Sequence, residues 1–388
     1  MIAHLNDIII DMQYLFVLGR EPKLSLAELE SLFGANNVSA VSRELAIVEA
    51  DNVNLNRIGG SIKAGQVLET PLIDFLSNLP TGKITLGFSD YTKGATGAKT
   101  WALALKYKNL LRRHGRSVRL VPNGHDAVLS SATSHHNQLG EKLNHIEVIK
   151  FKDYTAISIG TQNITAYAKR DRERPARDAF VGMLPPKLAQ ILINLATGSH
   201  KSGIVLDPFC GTGVVLQEAT LMGYSAYGTD LSEKMIKYSG RNLEWLKDRT
   251  ARLQKQNAPE LFLEVGDATD HQWKLKTPDF VASEIYLGHP LSAPPGPAKL
   301  QEFKLNAKEL LTKFLKNIEP QIASGATLAL ATPSWLRPDG SYSGVDILDD
   351  IEKLGYNQIK YVNASQSDLL YHRENQIVAR QIIVLRKK

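Results

Sequence analysis

Apolar and polar residues follow two different rhythms along the chain. In the first 160 residues, short runs rich in β-branched and aromatic residues, bounded by turn formers, read as strands at 14–18, 45–49, 66–69, 83–88, 117–121, 145–151 and 154–160. Helical spacing interrupts them twice. Ser25 to Phe33 carries Ser25 as an N-cap with Glu28 three residues on, the form of a capping box, and Gly34 supplies a stop. Trp101 to His114 places Leu103, Tyr107, Leu110 and Leu111 at helical spacing and ends at Gly115. The polar stretch 130–138 reads as a loop. From Lys169 to Asp178 charges of both signs alternate without apolar periodicity, which reads as a linker. Pro185-Pro186 then opens an apolar helix over 187–196, with proline where its missing N–H costs least. Beyond it, strand- and helix-like segments alternate at 203–206, 213–222, 225–229, 232–246, 261–265, 279–283, 300–317, 325–332, 344–353, 357–362 and 376–386. Such alternation is the sequence form of a doubly wound parallel sheet. The expected organisation is α/β: a small α+β module over 1–82, a second unit over 83–168, a linker over 169–178 and a Rossmann-like domain over 179–388.

A length of 388 residues fits two or three units, and 43% apolar with 22% charged residues is ordinary globular composition. The single cysteine, Cys210, excludes an internal disulfide framework and a multi-cysteine metal site, and fits a reducing, cytosolic compartment. Asp7 and Asp11 flank the short run Ile8-Ile9-Ile10, unlike a signal peptide, and no run reaches the roughly 18 apolar residues of a membrane helix, so a soluble protein is expected. Charge is uneven. Residues 1–82 carry 5 Lys+Arg against 10 Asp+Glu, 83–178 carry 17 against 8, and 179–388 carry 24 against 22. A basic middle segment is the footprint of a polyanion-binding unit, nucleic acid above all, although a solvated basic surface produces the same count. Lys106, Lys108, Arg112, Arg113, Arg116 and Arg119 occur there without an intervening acid and are expected on one partner-facing helix and its following turn.

Candidate chemistry begins at the end of the strand 203–206. Asp207-Pro-Phe-Cys-Gly-Thr-Gly213 follows it, with Phe209 inside the turn, and a helix comes next. Gly211 and Gly213 let backbone approach a ligand, and the helix N-terminus offers N–H groups to an anion. A dinucleotide fingerprint would place a third glycine at position 216, where this chain has Leu216, so a dehydrogenase is disfavoured. Asp230 and Asp267 close the next two strands, and three acids at successive strand ends suit a nucleoside site better than three helix caps. Cys210 lies in the turn with no catalytic base in view and reads as a space filler. His135 and His136 are adjacent and have no acid or cysteine cluster about them, which suits loop hydrogen bonding or RNA contact rather than metal.

These residues resemble a known family. Asp207-Pro-Phe-Cys-Gly-Thr-Gly-Val-Val-Leu-Gln-Glu-Ala219 is similar to motif I of the THUMP-domain class I RNA methyltransferases, in the branch that methylates guanosine at position 10 of tRNA. Tyr14-Leu-Phe-Val-Leu-Gly-Arg20 resembles that branch's ferredoxin-like module. Ser130-Ser131-Ala132 with His136-Asn137-Gln138-Leu139 resembles its THUMP segment, and Arg174-Pro175 with Met183 to Ala189 resembles its entry into the catalytic domain. The resemblance covers nearly the whole chain. It implies S-adenosylmethionine as cofactor, held by Asp207, Phe209, Gly211, Gly213, Asp230 and Asp267. It also implies tRNA as partner, with His136, Asn137 and Arg174 joining the six cations as RNA contacts. The chain departs from the family at the acceptor motif. Where the family has Asp-Pro-Pro-Tyr, this chain has Ser283-Glu284-Ile285-Tyr286, keeping the aromatic but neither proline. Ser283, Glu284 and Tyr286 are the candidate catalytic residues, with Glu284 or nearby backbone carbonyls accepting amine hydrogens and Tyr286 stacking a base; the alternative is that Glu284 caps a loop and Tyr286 fills a gap beside Pro290. The competing readings are an RNA-binding protein that keeps the cofactor fold without turnover, and a methyltransferase for another RNA base, DNA or protein.

Overall fold

A computed structural model describes residues 12–178, 184–250, 259–374 and 376–388. Asp7, Asp11, the isoleucine run between them and Met183 lie outside the described residues. The chain divides into two compact units, one of 1–22, 36–56 and 61–166, the other of 23–35, 57–60 and 167–388. Among the described residues no helix is long and apolar enough to cross a membrane.

The first unit is built on one eight-stranded sheet. Its strands are β1 (Met12–Leu18), β2 (Val38–Ala40), β3 (Leu45–Ala50), β4 (Ser61–Val67), β5 (Ile84–Asp90), β6 (Val118–Leu120), β7 (His145–Phe151) and β8 (Tyr154–Thr161), in the order β2-β3-β1-β4-β8-β7-β5-β6. The expected division after residue 82 is not where the chain separates. The two four-strand halves share the antiparallel β4–β8 ladder, and pattern along the sequence does not announce such pairing between distant strands. Leu86, Phe88, Ala104 and Leu111 bring the helix α3 (Gly97–Arg113) onto one core, and Leu15, Ile47, Ile149 and Phe151 form another.

A buried polar network stands at the centre of this unit. Lys63 Nζ donates to Glu147 Oε1 at 2.6 Å and to the Leu129 carbonyl at 2.7 Å. Ser89 and Ser134 hydroxyls also donate to Glu147, each at 2.6 Å. Buried charge is tolerated when paired and fully hydrogen-bonded, as here. The network fastens the segment 129–134 to the sheet, so the polar stretch expected as loop is partly helical. It contains α4 (Ser131–His136), capped by Ser130, whose hydroxyl accepts from Thr133 N.

In the second unit the expected capping box is absent. Helix α1 runs Pro22–Phe33, so Ser25 and Glu28 lie inside it and face inward. Ser25 Oγ donates to the Gly60 carbonyl, while the Glu28 carboxylate accepts from Gly59 N, Gly60 N and Asn194 Nδ2. Burial lifts the Glu28 carboxyl to about 7, against the opposing pull of those three donors. The expected linker at 169–178 is likewise built into this unit. It begins in the helix α5 (Ile164–Arg172), Arg170 Nε donates to Glu218 at 2.6 Å, and Asn242 bonds both the N–H and the carbonyl of Ala176. Arg170, a charge that looks solvated in sequence, is here matched to the buried Glu218.

The central sheet of this unit consists of β9 (Ile204–Asp207), β10 (Ser225–Asp230), β11 (Leu261–Val265), β12 (Phe280–Glu284), β13 (Thr327–Leu336), β15 (Tyr356–Gln358) and β17 (Val378–Lys387), ordered β11-β10-β9-β12-β13-β17-β15, with β14 (Tyr342–Ser343) and β16 (Leu370–Tyr371) at its margin. Pairs from β11 to β13 are parallel, but β17 runs antiparallel to β13 and β15 antiparallel to β17. The expected all-parallel sheet is thus mixed at one edge. β15 runs in the same sense as β13, with β17 between them in the opposite sense, and the helix-like segment 344–353 forms only a 3₁₀ turn at Leu348–Asp350. Alternate strand residues serve opposite faces. Val205, Ala226, Ala282, Ala329 and Ile382 pack with α6 (Pro186–Thr197), α7 (Val214–Leu221) and Leu243 of α8 (Glu233–Thr250), whereas Leu206, Tyr227, Val281, Leu328 and Ile383 pack with α9 (Pro297–Ile318).

Candidate active site

Strand order reverses between β9 and β12, with β10 and β11 lying to one side and β13 to the other. In open α/β sheets ligands bind beyond the strands' carboxyl ends at such a reversal. A cavity of about 1240 Å³ opens there, lined by Asp207, Asp230 and Asp267 from the β9–β11 half and by Glu284, Tyr286 and Arg380 from the other.

The turn after β9 is shaped by its glycines. Gly211 has φ +51° with open space where a side chain would stand, and it lines the cavity. Gly213 has φ +79°, and a Cβ there would lie 2.8 Å from Ser239 Oγ, so it serves close packing of turn against α8 rather than the cavity wall. Ser239 Oγ donates to the Gly211 carbonyl, and Asn242 Nδ2 to that of Thr212. Cys210 is buried, and burial first, then Asp207 and Asp230, push its thiol well up, which keeps it a protonated filler. Phe209 lines the cavity with its ring edge-on to Phe314.

Three carboxylates at the strand ends occupy unlike surroundings. Asp230 accepts from Gly211 N and Ser232 N, each at 2.9 Å. The backbone N–H and hydroxyl of Thr269 both donate to one oxygen of Asp267 and hold its carboxyl below the usual range. Asp207 is buried and accepts from Ser283 Oγ at 2.5 Å and from Phe209 N at 3.2 Å. Burial lifts it to about 7, and the nearby Asp230 and Glu284 add to the rise against those two hydrogen bonds.

The acceptor segment divides sharply. Ser283 is 0% exposed and gives its hydroxyl to Asp207, so it supports the β9 turn and does not line the cavity, contrary to its expected catalytic place. Glu284 and Tyr286 do line it. Glu284 Oε1 accepts from Arg380 Nε at 2.7 Å; burial raises its carboxyl and Arg380 opposes the rise. Tyr286 is 57% exposed, an aromatic face open for stacking rather than a filler of space beside Pro290.

The expected RNA contacts fare unevenly. On α3, Lys106, Arg112 and Arg113 are exposed and Lys108 half-buried. At 3.6 residues per turn they form two stripes, Lys106 with Arg113 and Lys108 with Arg112, roughly 100° or more apart, rather than one face. Arg116 donates to the carbonyls of Ser77, Leu79 and Pro80, closing the end of α2 (Leu72–Ser77), which makes it a structural residue. The exposed Arg119 donates to Asn137 Oδ1, and Asn137 Nδ2 donates to the Thr133 carbonyl. His136 is exposed. Arg174 is 3% exposed and lies 3.9 Å from Asp171, so it is not placed to meet RNA.

Sequence reasoning missed Leu231, Asp178, Lys313 and Arg380, all cavity-lining. Leu231 was within reach of it: an apolar residue directly after a strand-end acid, 73% exposed and on the cavity wall. Arg380 carried no signal, lying 96 positions from Glu284.

Sheet order, glycine turn and strand-end acids define the second unit as a class I methyltransferase domain. The residues present fit S-adenosylmethionine, the donor of that class: acids for a cation bearing ribose hydroxyls, an exposed leucine for an adenine, and open backbone at Gly211. The chain is similar over nearly its whole length to one enzyme, and over shorter stretches to others of the same name. It is 23% identical over 94% of its length to the tRNA (guanine(10)-N2)-dimethyltransferase of Pyrococcus abyssi, covering 99% of that protein. It is 36% identical over 24% of its length to the enzyme of the same name from Methanocaldococcus jannaschii, covering 26% of it. Residues 97–241 match the DNA methylase family of N6- and N4-methyltransferases. Among solved structures, TrmN from Thermus thermophilus aligns over 97% of this chain and 100% of its own at 16% identity, with a TM-score of 0.45.

Proposed function

We propose that this chain is an S-adenosylmethionine-dependent tRNA methyltransferase that acts in the cytoplasm on the exocyclic N2 of a guanosine, position 10 by similarity to its relatives. The observation that carries the reading is the single cavity with the strand-end acids of a cofactor site on one half and Glu284 with exposed Tyr286 on the other. Bound there, S-adenosylmethionine supplies an electrophilic methyl group. The amine of a base is a weak nucleophile because its lone pair is delocalised into the ring, so the protein's part is positioning. Tyr286 stacks the base drawn out of its helix, Glu284 accepts the amine hydrogens, and Asp230 and Asp267 hold the ribose end of the cofactor. The first unit is read as a ferredoxin-like module joined to a THUMP domain, with the α3 cations and His136 meeting tRNA phosphates.

A second reading, a cofactor-binding RNA-binding protein without turnover, draws on Ser283, which stands where the family has an acid and is turned away from the cavity. Offering labelled S-adenosylmethionine with tRNA, duplex DNA and protein together separates the readings. The proposal expects label in tRNA alone; label in DNA or protein, or in nothing while cofactor still binds, contradicts it.

A further inference from the structure

Glu284 does not stand alone at the cavity wall. It is level with Ala331 of β13, and Arg380 of β17 pairs with Pro333, two residues further on, so the two side chains meet across β13. Arg380 is 4% exposed yet lines the cavity, with its Nε 2.7 Å from Glu284 Oε1. A buried ion pair adds little stability over well-packed apolar residues, so its presence at the wall of a ligand cavity points to chemistry. Without a cation beside it, a buried carboxyl takes up a proton and turns from acceptor to donor. Bonded at one oxygen by a planar guanidinium, the carboxylate is drawn toward its charged form against the effect of burial, fixed in orientation and able to accept along its other edge.

The edges of the bases give that arrangement its meaning. Beside its amine, guanine presents a second donor, N1–H. Adenine and cytosine present a ring nitrogen acceptor beside theirs. Two carboxylate oxygens match the first pattern and repel the second. We propose that Arg380 is a positioning residue for the acceptor base, fixing Glu284 as a charged, doubly accepting edge that selects guanine over adenine and cytosine. This rests on the reading that the substrate is a tRNA guanine. Other ionisable groups share the cavity: Asp207 from β9, Asp178, Asp230 and Lys313, with Tyr286 and His289 on Glu284's own loop.

The test uses the full chain and tRNA carrying either guanosine or 2-aminopurine riboside at the mapped methylation position. 2-Aminopurine keeps the amine but has an acceptor at N1, and its fluorescence reports unstacking without turnover. The parent should prefer guanine in kcat/KM by about 10²-fold, the scale of one unmatched buried polar group. Arg380→Met should lose that preference and move the acidic limb of the kcat profile to higher pH, since Glu284 then protonates more readily. Arg380→Lys should return the limb toward the parent's. Equal use of both bases by the parent overturns the inference, as does an Arg380→Met enzyme with the parent's limb and preference. Should Arg380→Met fail to bind S-adenosylmethionine in calorimetry, the parent's own ratio still decides. A parent that methylates no tRNA guanine overturns the functional reading and this inference with it, an outcome distinct from methylation without preference.

Discussion

Carboxyl groups in unlike surroundings give the site its character at the scale of single residues. Asp267 is held ionised by Thr269, whereas Asp207 is buried and lifted to about 7. An acid whose folded value exceeds its unfolded one binds its proton more tightly when folded. The stability it contributes is full below the unfolded value near 4 and is lost as pH rises through about 7. Asp207→Asn should therefore flatten the decline in unfolding free energy between pH 4 and 7 by about 3 kcal/mol, read by denaturant titration at several pH values; an unchanged decline would show that Asp207 titrates alike in both states. Glu284→Gln replaces one acceptor by a donor and should lower kcat about 10- to 10²-fold while leaving S-adenosylmethionine affinity within twofold. Tyr286→Ala should raise KM for tRNA more than it lowers kcat. Parental kinetics in either variant would contradict its role.

Among the elements, α3 and the turn after it carry two kinds of cation that sequence alone does not separate. Lys106→Glu and Arg113→Glu reverse charges on the fully exposed stripe and should weaken tRNA binding, with the slope of log affinity on log salt falling by about one for each phosphate no longer neutralised. Arg116→Ala should instead destabilise the first unit by about 1 kcal/mol, because the half-buried or exposed carbonyls of Ser77, Leu79 and Pro80 lose their donor. Melting curves and binding isotherms measured on the same three variants sort them. Helix α1 makes the same point for acids: Glu28→Gln keeps one acceptor oxygen for Gly59 N and Asn194 Nδ2 but turns an amide donor against Gly60 N, and should cost about 1–3 kcal/mol of stability. A variant as stable as the parent would show that Glu28 is dispensable to that loop.

For the molecule as a whole, the parts legible in sequence were those written locally. Strand and helix periods placed β7, β8, β10 and β11 closely, and Asp207, Asp230 and Asp267 could be read as strand-end acids because each follows its own strand. What escaped depended on partners distant in sequence. Ser25 and Glu28 have capping-box spacing, but a loop beginning 31 residues later and a helix 166 residues away take their hydrogen bonds. Arg174 and Arg116 look like solvent-facing cations in sequence, but Arg174 is buried and Arg116 is spent on the carbonyls of Ser77, Leu79 and Pro80. The antiparallel β17 is placed between β13 and β15 by pairing with strands distant in sequence, and with it comes Arg380, which no pattern near Glu284 foretells.

The proposed activity has one product to show: a methyl group on the N2 of a tRNA guanine. Mass spectrometry of nucleosides from tRNA incubated with the protein and isotopically labelled S-adenosylmethionine reads that product directly. Labelled N2-methylated guanosine is expected at one position of the tRNA, and sharply less of it with Glu284→Gln. Label on adenosine or cytidine, or tRNA that gains none while the protein still binds the cofactor, would contradict it.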